Sequence, residues 1–150
     1  MLWIVVTSPS FFPGEASFLH RLIACGVDYI HLRKPGTTAD DCSRLLDQMP
    51  EEDYRHIIIH DFFELAAQYG LHGIHLNARR SDIPTDYHGH ISRSCHSLEE
   101  VEKYKQVCNY VFLRPIFVSI SKQGYSSAFN DITLKKAAIR GVLDQKVIAL

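Results

Sequence analysis

Short apolar runs alternate with segments of helical periodicity along this chain, and that alternation constrains its fold more than any other feature. The runs lie at 2–7, 29–33, 56–60, 73–76, 90–94, 110–113 and 146–150. They are rich in Ile, Val and Tyr, and several are apolar at successive positions rather than at every second one. A strand with one wet face must alternate, whereas a strand covered on both faces need not. The runs therefore read as buried strands of a parallel sheet with helices on the crossovers.

The segments between them supply those helices. Over 16–24, Phe18, Leu19, Leu22 and Ile23 form one stripe, and Gly26 follows as a C-cap. Over 38–49, Cys42, Leu45, Leu46 and Met49 share a face. Thr38 stands at the N-cap there, with Asp40 and Asp41 in the first turn, where the helix dipole favours negative charge. The segment 62–69 ends at Gly70, and 98–106 opens on Ser97-Leu98-Glu99-Glu100, a capping box. A last helix covers 133–143. Residues 77–89, with Pro84 and Gly89, read as a loop, so the fourth and fifth strands follow each other with almost no helix between them.

The chain has 150 residues, 46% hydrophobic and 22% charged, which suits one globular domain and excludes disordered, collagen-like and coiled-coil classes. Its 16 basic and 17 acidic residues give a net charge of −1, so the charge balance points to neither nucleic acid nor an anionic membrane surface. No apolar run approaches the roughly 20 residues of a membrane span. Residues 2–6 follow Met1 without a basic n-region, so no secretory signal is read and a cytoplasmic protein is expected. Cys25, Cys42, Cys95 and Cys108 form no C-x-x-C pair, and reduced thiols are expected. A homo-oligomer is left open.

Two architectures satisfy strict β/α alternation: an open doubly wound sheet and a (β/α)8 TIM barrel. The first strand is not followed by G-x-G-x-x-G or by a P-loop, which weakens the nucleotide-binding open sheets. The barrel gains from where polar residues fall, because barrel chemistry collects at the C-terminal ends of the strands. Those ends read Thr7-Ser8, His31-Leu32-Arg33-Lys34, His60-Asp61, His75-Leu76-Asn77, Ser94-Cys95-His96 and Arg114. The expected fold is α/β, a single (β/α)8 barrel domain over 1–150 that stops after its seventh strand at an open edge.

Each polar group has a plain reading beside a functional one. Arg33 and Lys34 either flank a solvated turn at Pro35-Gly36 or offer a guanidinium fork and an ammonium to an anion. Asp61 either caps the following helix or serves a metal or anion. His75 in an apolar strand reads first as a core histidine. Capping explains Ser97 but not His96. Cys95 points away from its neighbours' side and makes a poor nucleophile. Ser119, Ser121 and Lys122, with Gly124, form a candidate phosphate cradle. His31, His60, His75 and His96 could meet as a soft-metal site, although a catalytic zinc takes three close ligands. His88-Gly89-His90 would lie at the opposite strand ends.

At these residues the sequence resembles the thiamine-phosphate synthase and TenI family of thiamin biosynthesis. The family's Q-L-R-E-K stands here as His31-Leu32-Arg33-Lys34-Pro35, and its I-N-D as Ile59-His60-Asp61. Its G-V-H-L-G-Q stands as Gly73-Ile74-His75-Leu76-Asn77-Ala78. Its G-x-S-x-H-S-x-E-E stands as Ser92-Arg93-Ser94-Cys95-His96-Ser97-Leu98-Glu99-Glu100. Its G-P-I-F-x-T-x-T-K stands as Arg114-Pro115-Ile116-Phe117-Val118-Ser119-Ile120-Ser121-Lys122. The resemblance implies a (β/α)8 barrel acting on a small phosphorylated thiazole.

The departures bear on which reaction is implied. Pro35 replaces the lysine that grips pyrophosphate in the synthases, His60 replaces the Asn before the metal-binding Asp, and Arg80 stands where a second Asp is expected, with Asp82 two residues late. A synthase would hold Mg2+ on Asp61. A TenI-type thiazole tautomerase would need no cofactor and would use His96 as acid/base, which suits an imidazole near neutral pH. In either case Arg33, Ser94, Ser119, Ser121 and Lys122 would contact phosphate or another anion, around a single phosphoester at one rim of the barrel. The departures tilt the expectation toward the tautomerase, with the synthase as its rival, a non-catalytic phospho-ligand binder third, and a histidine-based metal-dependent hydrolase last.

Overall fold

The computed structural model describes residues 2–116 and 129–150. They fall into two compact units, Met1–His75 with Asp82–His90, and Leu76–Ser81 with Ile91–Leu150. Seven strands and five α-helices occur among the described residues, and every strand pair given a register is parallel. This is the α/β class with barrel-type strand order that the alternation implies.

In the first unit the order is β1 (Ile4–Val6), α1 (Glu15–Ala24), β2 (Tyr29–Leu32), α2 (Ala39–Leu46), a 3-10 turn (Glu51–His56), β3 (Ile57–Ile59), α3 (Glu64–Tyr69) and β4 (Gly73–Leu76). The strands lie side by side in chain order. Register pairs His31 with Val6 on one side and Ile58 on the other, and Ile59 with Ile74. Parallel partners share a face, and successive residues alternate faces. One face is therefore Ile30, Leu32, Ile57, Ile59 and Ile74, all buried aliphatics. The other carries His31 and Ile58, and with them Gly73, His60 and His75 by alternation.

Gly73 sits on that second face for a steric reason. A Cβ there would come within 2.3 Å of the His90 carbonyl oxygen, so only glycine lets that backbone approach. Thr38 caps α2 as expected, accepting from the Asp41 N–H at 3.2 Å while the Asp41 carboxylate accepts from the Thr38 N–H at 3.1 Å. The 3-10 turn before β3 lacks any clear apolar period in the sequence.

In the second unit β5 (His90–Cys95), α4 (Leu98–Tyr104), β6 (Tyr110–Leu113), α5 (Asp131–Ile139) and β7 (Val147–Ala149) follow one another. Ser92 pairs with Tyr110 and Ser94 with Phe112, while Arg93 pairs with Val111 and Cys95 with Leu113. The two serines thus share a face that Arg93 and Cys95 do not. Ser97 caps α4 by accepting from the Glu100 N–H at 3.1 Å. The Glu100 carboxylate reaches one residue further back than a capping box requires, to the His96 N–H at 2.7 Å.

Candidate functional site

In the first unit the second face of β2, β3 and β4 brings three histidines together. Register sets His60 opposite His75 on the neighbouring strand, and His31 two residues earlier on β2. The His60 and His75 rings stack at 4.2 Å between centroids and 23° between planes. His31 meets both edge-on, at 5.1 Å and 5.0 Å. The His31 Nδ1 and the His60 Nε2 lie 2.9 Å apart, one ring donating to the other. All three are buried, His31 and His75 completely.

Burial decides the charge of His31. Desolvation, with a smaller contribution from repulsion by His90, lowers its pKa to about 3, so the imidazole is neutral at ordinary pH. A second aromatic group lies at the opposite strand ends, where His72 packs on Tyr29 at 4.4 Å and on His90 at 4.6 Å. Burial, then repulsion by His72, lowers the His90 pKa to about 4.

Arg33 follows β2 and is half-buried. Its backbone is clamped by Thr7, whose Oγ1 accepts from the Arg33 N–H at 3.0 Å and donates to the Arg33 carbonyl at 3.2 Å. Lys34 neither flanks a solvated turn nor offers itself to an anion. Its ammonium is buried, 2.6 Å from the Glu15 carboxylate, and donates to the Ser8 and Ser10 carbonyls at 3.0 Å each. The Phe11 ring lies 4.6 Å from the same nitrogen. Glu15 opens α1 and is itself buried, after Gly14 at φ 79°.

Asp61, half-buried just beyond β3, is the residue to which the resemblance assigns Mg2+. A carboxylate is the hard oxygen donor that Mg2+ prefers, and one or two suffice when substrate phosphates and water complete the shell. The donor fits. The position of the synthases' second Asp is here Arg80, which closes a tight turn, its N–H donating to the Asn77 side-chain oxygen at 3.1 Å.

In the second unit Ser94 is buried on β5 and His96 is exposed just past its end. Arg93 faces α4 instead, its guanidinium 3.7 Å from the Tyr104 ring centroid and donating to the Ser81 carbonyl at 3.3 Å. Cys95 is fully buried, and burial, then the Glu100 charge, pushes its thiol up to about 12, which leaves it inert as a nucleophile. Ser119, Ser121 and Lys122 lie outside the described residues.

The Lys34–Glu15 pair is not visible in the sequence, whereas the expected meeting of His31, His60 and His75 is found, with His60 stacked on His75 and His31 edge-on to both. Neither lysine nor acid disturbs an apolar period, so only the β1–β2 pairing could have revealed their meeting. The imidazoles' convergence was legible from their places at the strand ends; which rings stack and which meet edge-on needed the register.

The family model described as thiamine monophosphate synthase matches residues 3–142. A crystal structure of thiamine phosphate pyrophosphorylase from Bacteroides thetaiotaomicron is 42% identical, with a TM-score of 0.89 over 99% of this chain and 71% of that one. Thiamine phosphate pyrophosphorylase from Pyrococcus furiosus shares the fold at 16% identity, with a TM-score of 0.66 over 99% of this chain and 84% of that one. A search of curated proteins finds no match. Among the described residues no helix is long and apolar enough to cross a membrane. Matched over nearly its full length by the family model, this chain belongs to the thiamine monophosphate synthase family of thiamin-biosynthesis enzymes.

Proposed function

We propose that the chain catalyses the synthase reaction, joining hydroxymethylpyrimidine pyrophosphate to thiazole phosphate in the cytoplasm. The observation that carries this reading is the 42% identity, across 99% of the chain, to a protein named thiamine phosphate pyrophosphorylase. It reverses the preference that the motif departures alone suggest. In the reaction the thiazole nitrogen bonds to the pyrimidine methylene carbon as the carbon–oxygen bond to pyrophosphate breaks, and the electron pair leaves with pyrophosphate. Mg2+ on Asp61 would supply charge neutralisation for that leaving group. Arg33 contributes a guanidinium fork to the pyrophosphate, and the Ser94 hydroxyl a hydrogen bond. Lys122 would join them on the pyrophosphate, and Ser119 and Ser121 would hold the thiazole phosphate.

One observation favours a second reading. Lys34 is held by Glu15, and Pro35 occupies the place of the synthases' lysine, so neither position offers a cation to pyrophosphate. A thiazole tautomerase needs no such grip. It needs an accessible imidazole, and His96 is exposed at the end of β5.

The two readings part on one incubation of the full chain with both substrates, with and without Mg2+. Mg2+-dependent thiamin phosphate supports the synthase. Its absence, with isomerisation of the thiazole carboxylate phosphate that His96→Ala abolishes, overturns it for the tautomerase. Binding of thiazole phosphate with turnover of neither substrate overturns both.

A further inference from the structure

The three clustered imidazoles are used in neither reaction above. We propose that His31, His60 and His75 form a binding site for one divalent transition-metal ion of the zinc class.

Geometry carries the proposal. Each ring offers a nitrogen such that the three ligand atoms lie within 4.8 Å of one another. Zinc–imidazole bonds of about 2.0–2.1 Å put tetrahedral ligand nitrogens roughly 3.3 Å apart. The 2.9 Å between His31 Nδ1 and His60 Nε2 would open by a few tenths of an ångström, and the widest separation would close by about 1.5 Å at most. Because an imidazole lone pair lies in the ring plane, one of the stacked His60 and His75 rings must also turn out of its 23° near-parallel arrangement so that both planes pass through the ion. The ligands also come from three adjacent parallel strands locked in register, the rigid kind of scaffold that fixes coordination geometry.

Chemistry selects the ion. The set is three nitrogens with no carboxylate among them, which suits zinc, cobalt, nickel or copper and not magnesium or calcium. Desolvation favours the neutral form of a buried imidazole, and the neutral ring is the metal-binding form. Three protein nitrogens leave a fourth position for water. The site is separate in donor type from the Mg2+ assigned to Asp61, so either can exist without the other.

The test uses the full untagged chain, stripped with EDTA and titrated with Co2+ and then Zn2+. One Co2+ per chain, with the visible absorption of a nitrogen-ligated tetrahedral ion, displaced by one Zn2+ and not by Mg2+, is the expected result. Affinity falls at least about 100-fold in His75→Gln and is unchanged in His88→Gln, whose imidazole is exposed. If His75→Gln fails to fold, imidazole nitrogen resonances of the native chain decide: one equivalent of Zn2+ shifts three ring signals belonging to buried histidines. Absence of stoichiometric binding, equal binding by a folded His75→Gln, or shifts confined to exposed rings would overturn the proposal.

Discussion

Acidification between pH 7.5 and 4.5 should destabilise the metal-free chain chiefly through His31 and His90, with a further contribution of the same sign from His72, whose pKa burial also lowers. His31 is fully buried, and its pKa falls from 6.5 to about 3 on folding. His90, partly buried, falls to about 4. In both the native state refuses a proton that the unfolded chain accepts, so the unfolded state binds more protons below pH 6.5 and stability rises with pH. The contribution is complete above pH 6.5. It is lost progressively as pH falls, down to about 3 for His31 and about 4 for His90. Well below 6.5 each such group costs about 1.4 kcal/mol per pH unit. Discounting His90 for its partial exposure, the pair removes about 2 kcal/mol by pH 5.5 and about 4 kcal/mol by pH 4.5. Against a total of roughly 5–15 kcal/mol, that is a large share.

Urea unfolding followed by circular dichroism, in EDTA, measures it. With a slope of about 2 kcal/mol/M, the midpoint falls by about 1 M at pH 5.5 and about 2 M at pH 4.5. Asp41 and Asp144, whose carboxyls are held below the usual range by Thr38 and by Lys105, lose their contributions in a lower window and do not confuse this one. His31→Asn removes the largest of these titrations, so its stability should depend on pH about half as steeply or less. A native midpoint flat from pH 7.5 to 5.0, or an unchanged slope in His31→Asn, refutes the reasoning.

Other outcomes follow from single contacts. Lys34→Ala strands the Glu15 carboxylate in the interior and should cost about 3–5 kcal/mol by urea melt, while the double change Lys34→Met with Glu15→Leu recovers most of it. Thr38→Ala removes the α2 cap and should cost about 1 kcal/mol, read by the same melt. Gly73→Ala drives a methyl into the His90 carbonyl, and because the obstacle is backbone rather than a movable side chain it should cost at least about 2 kcal/mol, checked by thermal midpoint. Asp61→Asn should lower Mg2+-dependent coupling by about 100-fold, or roughly 3 kcal/mol, with little change in thermal midpoint.

Element type was legible where burial wrote itself into composition. The run 57–59 is three isoleucines, buried throughout, and reads as a strand covered on both faces. The 110–113 and 73–76 strands were legible to the residue for the same reason. Boundaries failed at flanking polar residues: 56–60 was read for β3, but His56 closes the 3-10 turn, and His60 lies past Ile59 although its N–H still donates to the Leu32 carbonyl at 3.1 Å. Caps were legible because they are local, Thr38 to Asp41 and Ser97 to Glu100 each spanning three residues.

Beyond the expectation that strand-end histidines converge, the candidate site's pairwise geometry was not legible. His60 is one residue past a strand and reads as a strand-end polar group, yet its chemistry depends on His75, fifteen positions away, being opposite it across a ladder. That relation is a property of register, Ile58 against Gly73 and Ile59 against Ile74, which is a pairing between strands and not a feature of either strand's own periodicity. Lys34 shows the converse. Its position invites an anion, and nothing local forbids one; what removes it is Glu15, brought beside it by the pairing of β1 with β2 and the turn at Gly14. A charge already neutralised in the interior cannot also neutralise a substrate without exposing its partner, and that cost of several kcal/mol is what separates Lys34 from Arg33 as a phosphate ligand.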